Sequence, residues 1–153
     1  MHDGHCQGLI MAAAGIERLG LQEHISEYLN ETQMLTAPGQ GAIAIEIRED
    51  DNSTLEFLSV LNHKESVICV TAERSFLNRL EGGCQIPFAA HATLDGDHLV
   101  LEGLVATLDG RKMQRETIKG DSKDAIQLGI ALANSIKSNG GYKILEELKK
   151  ELN

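Results

Sequence analysis

Residues 80–87, with the sequence LEGGCQIP, present a lone cysteine directly after two glycines. A thiolate is a strong nucleophile, and glycines let the backbone turn without a Cβ clash. Such a cysteine is suited to a loop that presents sulfur for reaction. The alternative is a small buried hydrophobic side chain. The residues by themselves leave both interpretations of Cys84 open.

Two further segments carry groups that could bind an anion. In APGQG, residues 37–41, the glycines could bring backbone N–H groups to an anionic ligand, or they could simply form a turn that leads into a strand. Arg18 follows the apolar run GLIMAAAG. If this run is a strand of an open α/β sheet, Arg18 lies at the edge where ligands bind, and its guanidinium suits a carboxylate. A solvated surface arginine is the alternative.

The N-terminal HDGHC places His2, His5 and Cys6 close together. Three ligands near a chain end, without a fourth at suitable spacing, make a poor zinc site, so we predict no metal site. Cys69 lies between Ile68 and Val70 in a predicted helix and is expected in the core.

Composition limits the kinds of partner. Of the 153 residues 42% are hydrophobic and 24% charged, as in ordinary globular domains, and no apolar run approaches the roughly 20 residues that span a bilayer. The formal charge of −9 would repel nucleic acid. The first residues lack the features of a secretory signal. These observations predict a cytoplasmic protein that binds neither nucleic acid nor a membrane.

The first half of the chain predicts an incomplete α/β portion. Residues 8–15 and 41–47 are candidate strands that are apolar on both faces, and 22–29 has helical spacing. Ser53 and Glu56 stand in a capping-box relation and predict a helix start. Because parallel strands buried on both faces need neighbours on either side, we expect the rest of this α/β body to be missing.

The second half predicts a compact α+β unit. A helix over about 65–81 should end at Gly82 and Gly83. Three strand-like segments follow, joined by Asp95-Gly96 and Asp109-Gly110, which are strong hairpin signals. A helix capped at Asp121 or Ser122 and ending at glycine, and a terminal helix, should pack on this three-stranded antiparallel sheet.

The motifs LIMAAAGIERLGL, APGQGAIAIEIREDD, LNHKES, AERSFLNRLEGGCQIP and LEGLVATLDG resemble, in order and spacing, the C-terminal half of the hydroxymethylbilane synthase (porphobilinogen deaminase) family. The resemblance implies two domains like periplasmic binding proteins and a smaller α+β third domain. On this basis residues 1–36 would be the tail of the second domain. Residues 37–81 would return to the first domain through connecting helices, and 82–153 would form the cofactor-anchoring domain.

The same resemblance implies chemistry. The family joins four porphobilinogen units, with loss of ammonia, into hydroxymethylbilane on a dipyrromethane cofactor held by a thioether. The cysteine of its GGC motif falls on Cys84, after Gly83. Arg18 matches an arginine that binds the acetate and propionate groups of the cofactor or growing chain. Gln40 and Gly41 match the crossover beside the cleft.

The resemblance also implies what this chain lacks. The family's catalytic aspartate lies upstream of the matched part, so we expect no catalytic residue here and no activity from this chain alone. Its expected partners are the N-terminal half of the same enzyme, porphobilinogen and oligopyrrole intermediates. The alternative is a stand-alone, non-catalytic binding or interaction module derived from this enzyme.

Overall fold

The computed structural model describes residues 4–80 and 86–151. The chain divides into two compact units, Met1–Met34 and Leu35–Asn153. The predicted three-part division at residues 36 and 81 stays a prediction.

Over its described residues, 4–34, the first unit contains one short helix, α1 (Ala13–Arg18), and a 3-10 turn, Gln22–His24. The strand predicted over residues 8–15 is wrong, because 8–12 are irregular and the chain is helical from Ala13. A strand needs a hydrogen-bonding neighbour, and none of the described residues pairs with this segment. Its apolar side chains are instead solvent-facing, with Leu9 66% exposed. The helix predicted over 22–29 is also wrong beyond the 3-10 turn.

The second unit begins with an irregular segment. The strand predicted over residues 41–47 is wrong for the same reason, and Ile43 is 81% exposed. Helix α2 (Asn52–Leu58) follows, and a 3-10 turn, Ser59–Leu61, extends it. The helix is capped by Asp51, not by the predicted Ser53: Asp51 Oδ1 accepts a hydrogen bond from Thr54 N at 3.0 Å. Aspartate is a strong N-cap, and it precedes Ser53 by two residues.

The sheet is the predicted antiparallel meander. Strands β1 (Phe88–Asp95), β2 (His98–Ala106) and β3 (Met113–Asp121) are hydrogen-bonded in the order β1-β2-β3. The hairpin between β1 and β2 pairs Asp95 with His98 and turns at Gly96, whose φ of +60° favours glycine. The α+β prediction is confirmed.

Three helices cover one face of the sheet: α3 (Lys64–Leu80), α4 (Ala125–Ile136) and α5 (Tyr142–Glu151). Alternate residues of β2 are fully buried under them, including Leu99, Leu101 and Val105. A 3-10 turn capped by Asp121 leads into α4, and non-helical backbone at Gly140 separates α4 from α5. Among the helices of the described residues, none combines the length and the apolar character that crossing a bilayer requires.

Helices α3 and α4 cross at very short range. A Cβ added to Gly129 of α4 would lie 2.4 Å from the carbonyl oxygen of Ala72 and 2.8 Å from the backbone nitrogen of Phe76. Phe76 in turn covers Gly103 of β2, where a Cβ would lie 2.7 Å from the ring. Small residues at these contacts let two helices and the sheet share one core, so the position of α3 is closely determined.

Candidate functional site

The APGQG motif forms two overlapping turns. The backbone N–H of Gln40 donates to Ala37 O at 3.0 Å, and that of Ala42 donates to Gly39 O at 3.2 Å. Gly39 and Gly41 have φ values of +75° and +86°, which glycine adopts without strain. The turn therefore exposes the side chain of Gln40 between two glycines.

A carboxylate on α3 holds this turn. Glu73 is only 6% exposed, and its Oε2 accepts a hydrogen bond from Gly39 N at 2.7 Å. Its Oε1 accepts one from Ala92 N of β1 at 2.8 Å. Burying a carboxylate is costly unless it is well hydrogen-bonded, and both oxygens here have short charge-assisted bonds. Glu73 thus joins the turn, α3 and β1.

The residues before the turn follow the outer edge of β1. We call residues 35–39 the edge segment. Leu35 is 7% exposed, and Thr36 O accepts a hydrogen bond from Ala90 N at 3.0 Å. Because β2 pairs with the other side of β1, Ala90 and Ala92 direct their N–H groups to the free edge of the sheet. The edge segment and Glu73 satisfy these donors.

Gly83 and Cys84 lie outside the described residues, but the residues that flank them are well anchored. Leu80, the last residue of α3, is 3% exposed, and Ile86 packs against the core. The last turn of α3 is held from α4: Arg79 Nε donates to Asn134 Oδ1 at 2.8 Å. Lys137 Nζ donates to Arg79 O at 2.7 Å, which satisfies a carbonyl at the helix end.

Arg18 lies in the last turn of α1, in the first unit, and is exposed. It forms no hydrogen bond or ion pair with any of the residues that the structure describes. The neighbouring Glu17 is engaged: its carboxylate accepts the Tyr28 hydroxyl at 3.0 Å, and this bond raises the pKa of Tyr28. The guanidinium of Arg18 is therefore open to a ligand carboxylate.

Two cysteines lie within the described residues. Cys6 and Cys69 are free thiols. Cys69 packs against the core, and burial, followed by the charges of Glu73 and Glu65, raises its pKa. A raised pKa disfavours the nucleophilic thiolate. Across residues 4–80 and 86–151, no three His, Cys, Asp or Glu side chains are grouped as a metal site requires.

Family models match the chain in two consecutive stretches. The model described as "Porphobilinogen deaminase, dipyromethane cofactor binding domain" matches residues 1–56, and "Porphobilinogen deaminase, C-terminal domain" matches residues 67–138. The chain belongs to the porphobilinogen deaminase family. This confirms the resemblance, and the first matched domain is named after the family's dipyrromethane cofactor.

Curated porphobilinogen deaminases agree along nearly the whole chain. The Trichlorobacter lovleyi protein is 43% identical over 148 residues, which are 97% of this chain and 47% of the relative. The Geobacter sulfurreducens protein is 44% identical over 140 residues, 92% of this chain and 44% of the relative. The Nostoc protein is 40% identical over 149 residues, 97% and 46% respectively. The chain spans about half the length of the curated relatives it matches.

The matched domains of porphobilinogen deaminase contain the predicted site residues. Arg18, Gln40 and Gly41 lie within residues 1–56, and Gly83 and Cys84 lie within residues 67–138. The described donors fit a cofactor rich in carboxylates. The Gln40 carboxamide is exposed, and the Gly41 N–H has no acceptor among the described residues. Both groups of this turn can donate hydrogen bonds to carboxylate oxygens.

Glu73 was not singled out from the sequence, although a signal exists. It occupies the apolar stripe of α3 at helical spacing from Cys69, Phe76 and Leu80. A charged residue on a buried stripe needs a partner, and here the partners are two backbone N–H groups that belong to distant parts of the chain.

Proposed function

We propose that this chain is the C-terminal, cofactor-anchoring portion of a hydroxymethylbilane synthase. The complete enzyme condenses four porphobilinogen units into hydroxymethylbilane, as part of tetrapyrrole and haem biosynthesis. Support comes from the order of the two matched domains and from the identity to curated relatives along 97% of the chain.

The role proposed for Cys84 is that of covalent anchor. Loss of ammonia converts a porphobilinogen unit into an electrophilic azafulvene, and the sulfur attacks its exocyclic carbon. A carbon–sulfur bond would form, and the thiol proton would pass, directly or through solvent, to the ring nitrogen that lost its proton as ammonia left, so the product would be a stable thioether. When bound, the dipyrromethane supplies the primer on which the chain is extended. For Gly83 the proposed role is backbone freedom next to Cys84, because glycine has no Cβ.

Arg18, Gln40 and Gly41 are proposed to bind carboxylates of the cofactor or the growing chain. The observation that carries the proposal is the anchoring of the APGQG turn by Glu73. This bond attaches Gln40 and Gly41 to α3, the helix whose last residue comes four positions before Cys84. Gln40 and Gly41 therefore depend on the helix that precedes Cys84 in the chain.

The chain by itself is proposed to be inactive. None of its residues matches the catalytic aspartate that the resemblance places upstream, and a charge of −9 opposes the binding of a polyanionic oligopyrrole.

The proposed partner is the N-terminal half of the enzyme. Exposed apolar side chains on the second unit offer a surface for it, among them Ile43 (81%), Phe57 (79%) and Val60 (85%). The cytoplasmic location stays a prediction.

A chimaera tests the proposal. The 153-residue chain would replace the matching part of the Trichlorobacter lovleyi enzyme, to which it is 43% identical. We expect the chimaera to consume porphobilinogen and to carry a dipyrromethane adduct on Cys84, by mass spectrometry of its peptides. The chain alone should do neither.

The matched control is the Cys84→Ser chimaera, which should fold but form no adduct. Turnover by the isolated chain would contradict the proposed inactivity. A folded chimaera without adduct or turnover would favour the stand-alone module, and an adduct on Cys6 or Cys69 would overturn the role of Cys84.

A further inference from the structure

We infer that Glu73 is a positioning residue, which determines where Gln40 and Gly41 stand by holding their turn against α3 and β1. This rests on the proposed function, because the placement of Gln40 and Gly41 matters to catalysis only if they contact the cofactor. Glu73 itself is buried and contacts backbone N–H groups, so it acts through the turn.

The geometry explains why a glutamate is required. Its two carboxylate oxygens meet two N–H donors that are 53 residues apart, Gly39 at 2.7 Å and Ala92 at 2.8 Å. A glutamine has one acceptor oxygen, and its NH₂ group would face an N–H donor. An aspartate is one methylene shorter and cannot span the same gap. Either change leaves at least one donor without its acceptor.

Few other contacts hold the turn. Among the described residues, its other hydrogen bonds lie within residues 37–42, and the Thr36–Ala90 bond fixes the chain one residue before it. A Cβ at Gly39 would lie 3.8 Å from Val70 Cγ1, so the turn rests on α3 beside Glu73. Loss of the carboxylate should therefore release Gln40 and Gly41 while Thr36 and the buried Leu35 stay in place.

The first test uses the 153-residue chain and amide hydrogen exchange by NMR. Hydrogen bonds to a charged acceptor are strong enough that Glu73→Gln should speed exchange at Gly39 by about tenfold or more, whether or not exchange at Ala92 also changes. The amide of Ala133, in the core of α4, should be unaffected. Glu73→Asp keeps the charge, and it should speed exchange at one or both of these amides if the position of the oxygens is what matters.

The control variant is Glu65→Gln, which removes the same charge from an exposed position on the same helix. It should leave exchange at Gly39 and Ala92 unchanged. Wild-type exchange at Gly39 in Glu73→Gln would overturn the inference, and so would equal acceleration at Ala133, since that result would mean general destabilisation.

The second test places the same variants in the chimaera. Glu73→Gln should slow formation of the dipyrromethane adduct several-fold relative to Glu65→Gln, measured at a temperature where both chimaeras are fully folded. If the unsubstituted chimaera works and Glu73→Gln forms adduct at the control rate, the positioning role is wrong and the proposed function stands. If the unsubstituted chimaera forms no adduct, the proposed function and the positioning role both fail.

Discussion

The exposed guanidinium of Arg18 has no partner among the described residues, so its removal should cost little stability. Planar guanidinium binds a carboxylate through two parallel hydrogen bonds, which a lysine cannot reproduce. In the chimaera we expect Arg18→Leu and Arg18→Lys to impair adduct formation or chain elongation, at an unchanged thermal midpoint. Arg74→Leu, at an exposed position on α3, is the control. Activity equal to that of the control would make Arg18 an ordinary surface residue.

The two thiols at positions 69 and 84 should differ in reactivity. Burial and nearby carboxylates raise the pKa of Cys69, so less of it is thiolate at neutral pH. We expect a thiol reagent to label Cys84 faster than Cys69 in the isolated chain. Peptide mass spectrometry over time measures the two labelling rates. Labelling of Cys69 should keep rising at alkaline pH, as its thiolate forms. In denaturant the labelling rates of the two cysteines should converge. If Cys69 were labelled faster than Cys84 in the native chain, Cys84 would not be the more reactive thiol.

Among the elements, those specified by nearby residues were predicted well. The Asp-Gly pairs at 95 and 109 carry their own turn geometry, and α3 carries its own apolar stripe, so the meander and this helix follow from local sequence. The strands expected over 8–15 and 41–47 failed because a strand forms only with a pairing neighbour. Glu73 was missed because its partners, Gly39 and Ala92, are remote in sequence.

The crossing of α3 and α4 gives a sharp stability test. At an exposed position in a helix, replacing glycine by alanine raises the free energy of unfolding by up to about 1 kcal/mol. At Gly129 the new Cβ would meet backbone atoms of α3, which cannot rotate away, so the helices must separate. We expect Gly129→Ala to destabilise by about 1–3 kcal/mol, measured by urea unfolding.

Gly15→Ala is the matched control for the crossing, because an added Cβ at Gly15 of α1 has no heavy atom within 4 Å. It should be neutral or slightly stabilising. An unchanged urea midpoint for Gly129→Ala would mean that the two helices are not packed as closely as described.

The isolated chain exposes a group of large apolar side chains. The α+β part has a buried apolar core, whereas Ile43, Phe57 and Val60 are each about four-fifths exposed. We expect the isolated chain to bind a hydrophobic fluorescent dye and the chimaera to bind less, because the N-terminal half should cover this surface. Polar substitution of Ile43 and Val60 should reduce dye binding by the chain. Equal dye fluorescence of chain and chimaera would contradict this partner surface.

The edge segment limits where the chain can be truncated to obtain the C-terminal domain. The matched family domain covers residues 67–138, yet the fold that contains it takes in Leu35 before α3 and the buried Leu148 of α5. A protein trimmed to the family boundary would lose the acceptor of Ala90, one donor to Glu73 and part of its core. The exposed edge of β1 would then be free to pair with a strand of another molecule. Aggregation of such a fragment would therefore result from the truncation and would not be a property of the complete domain.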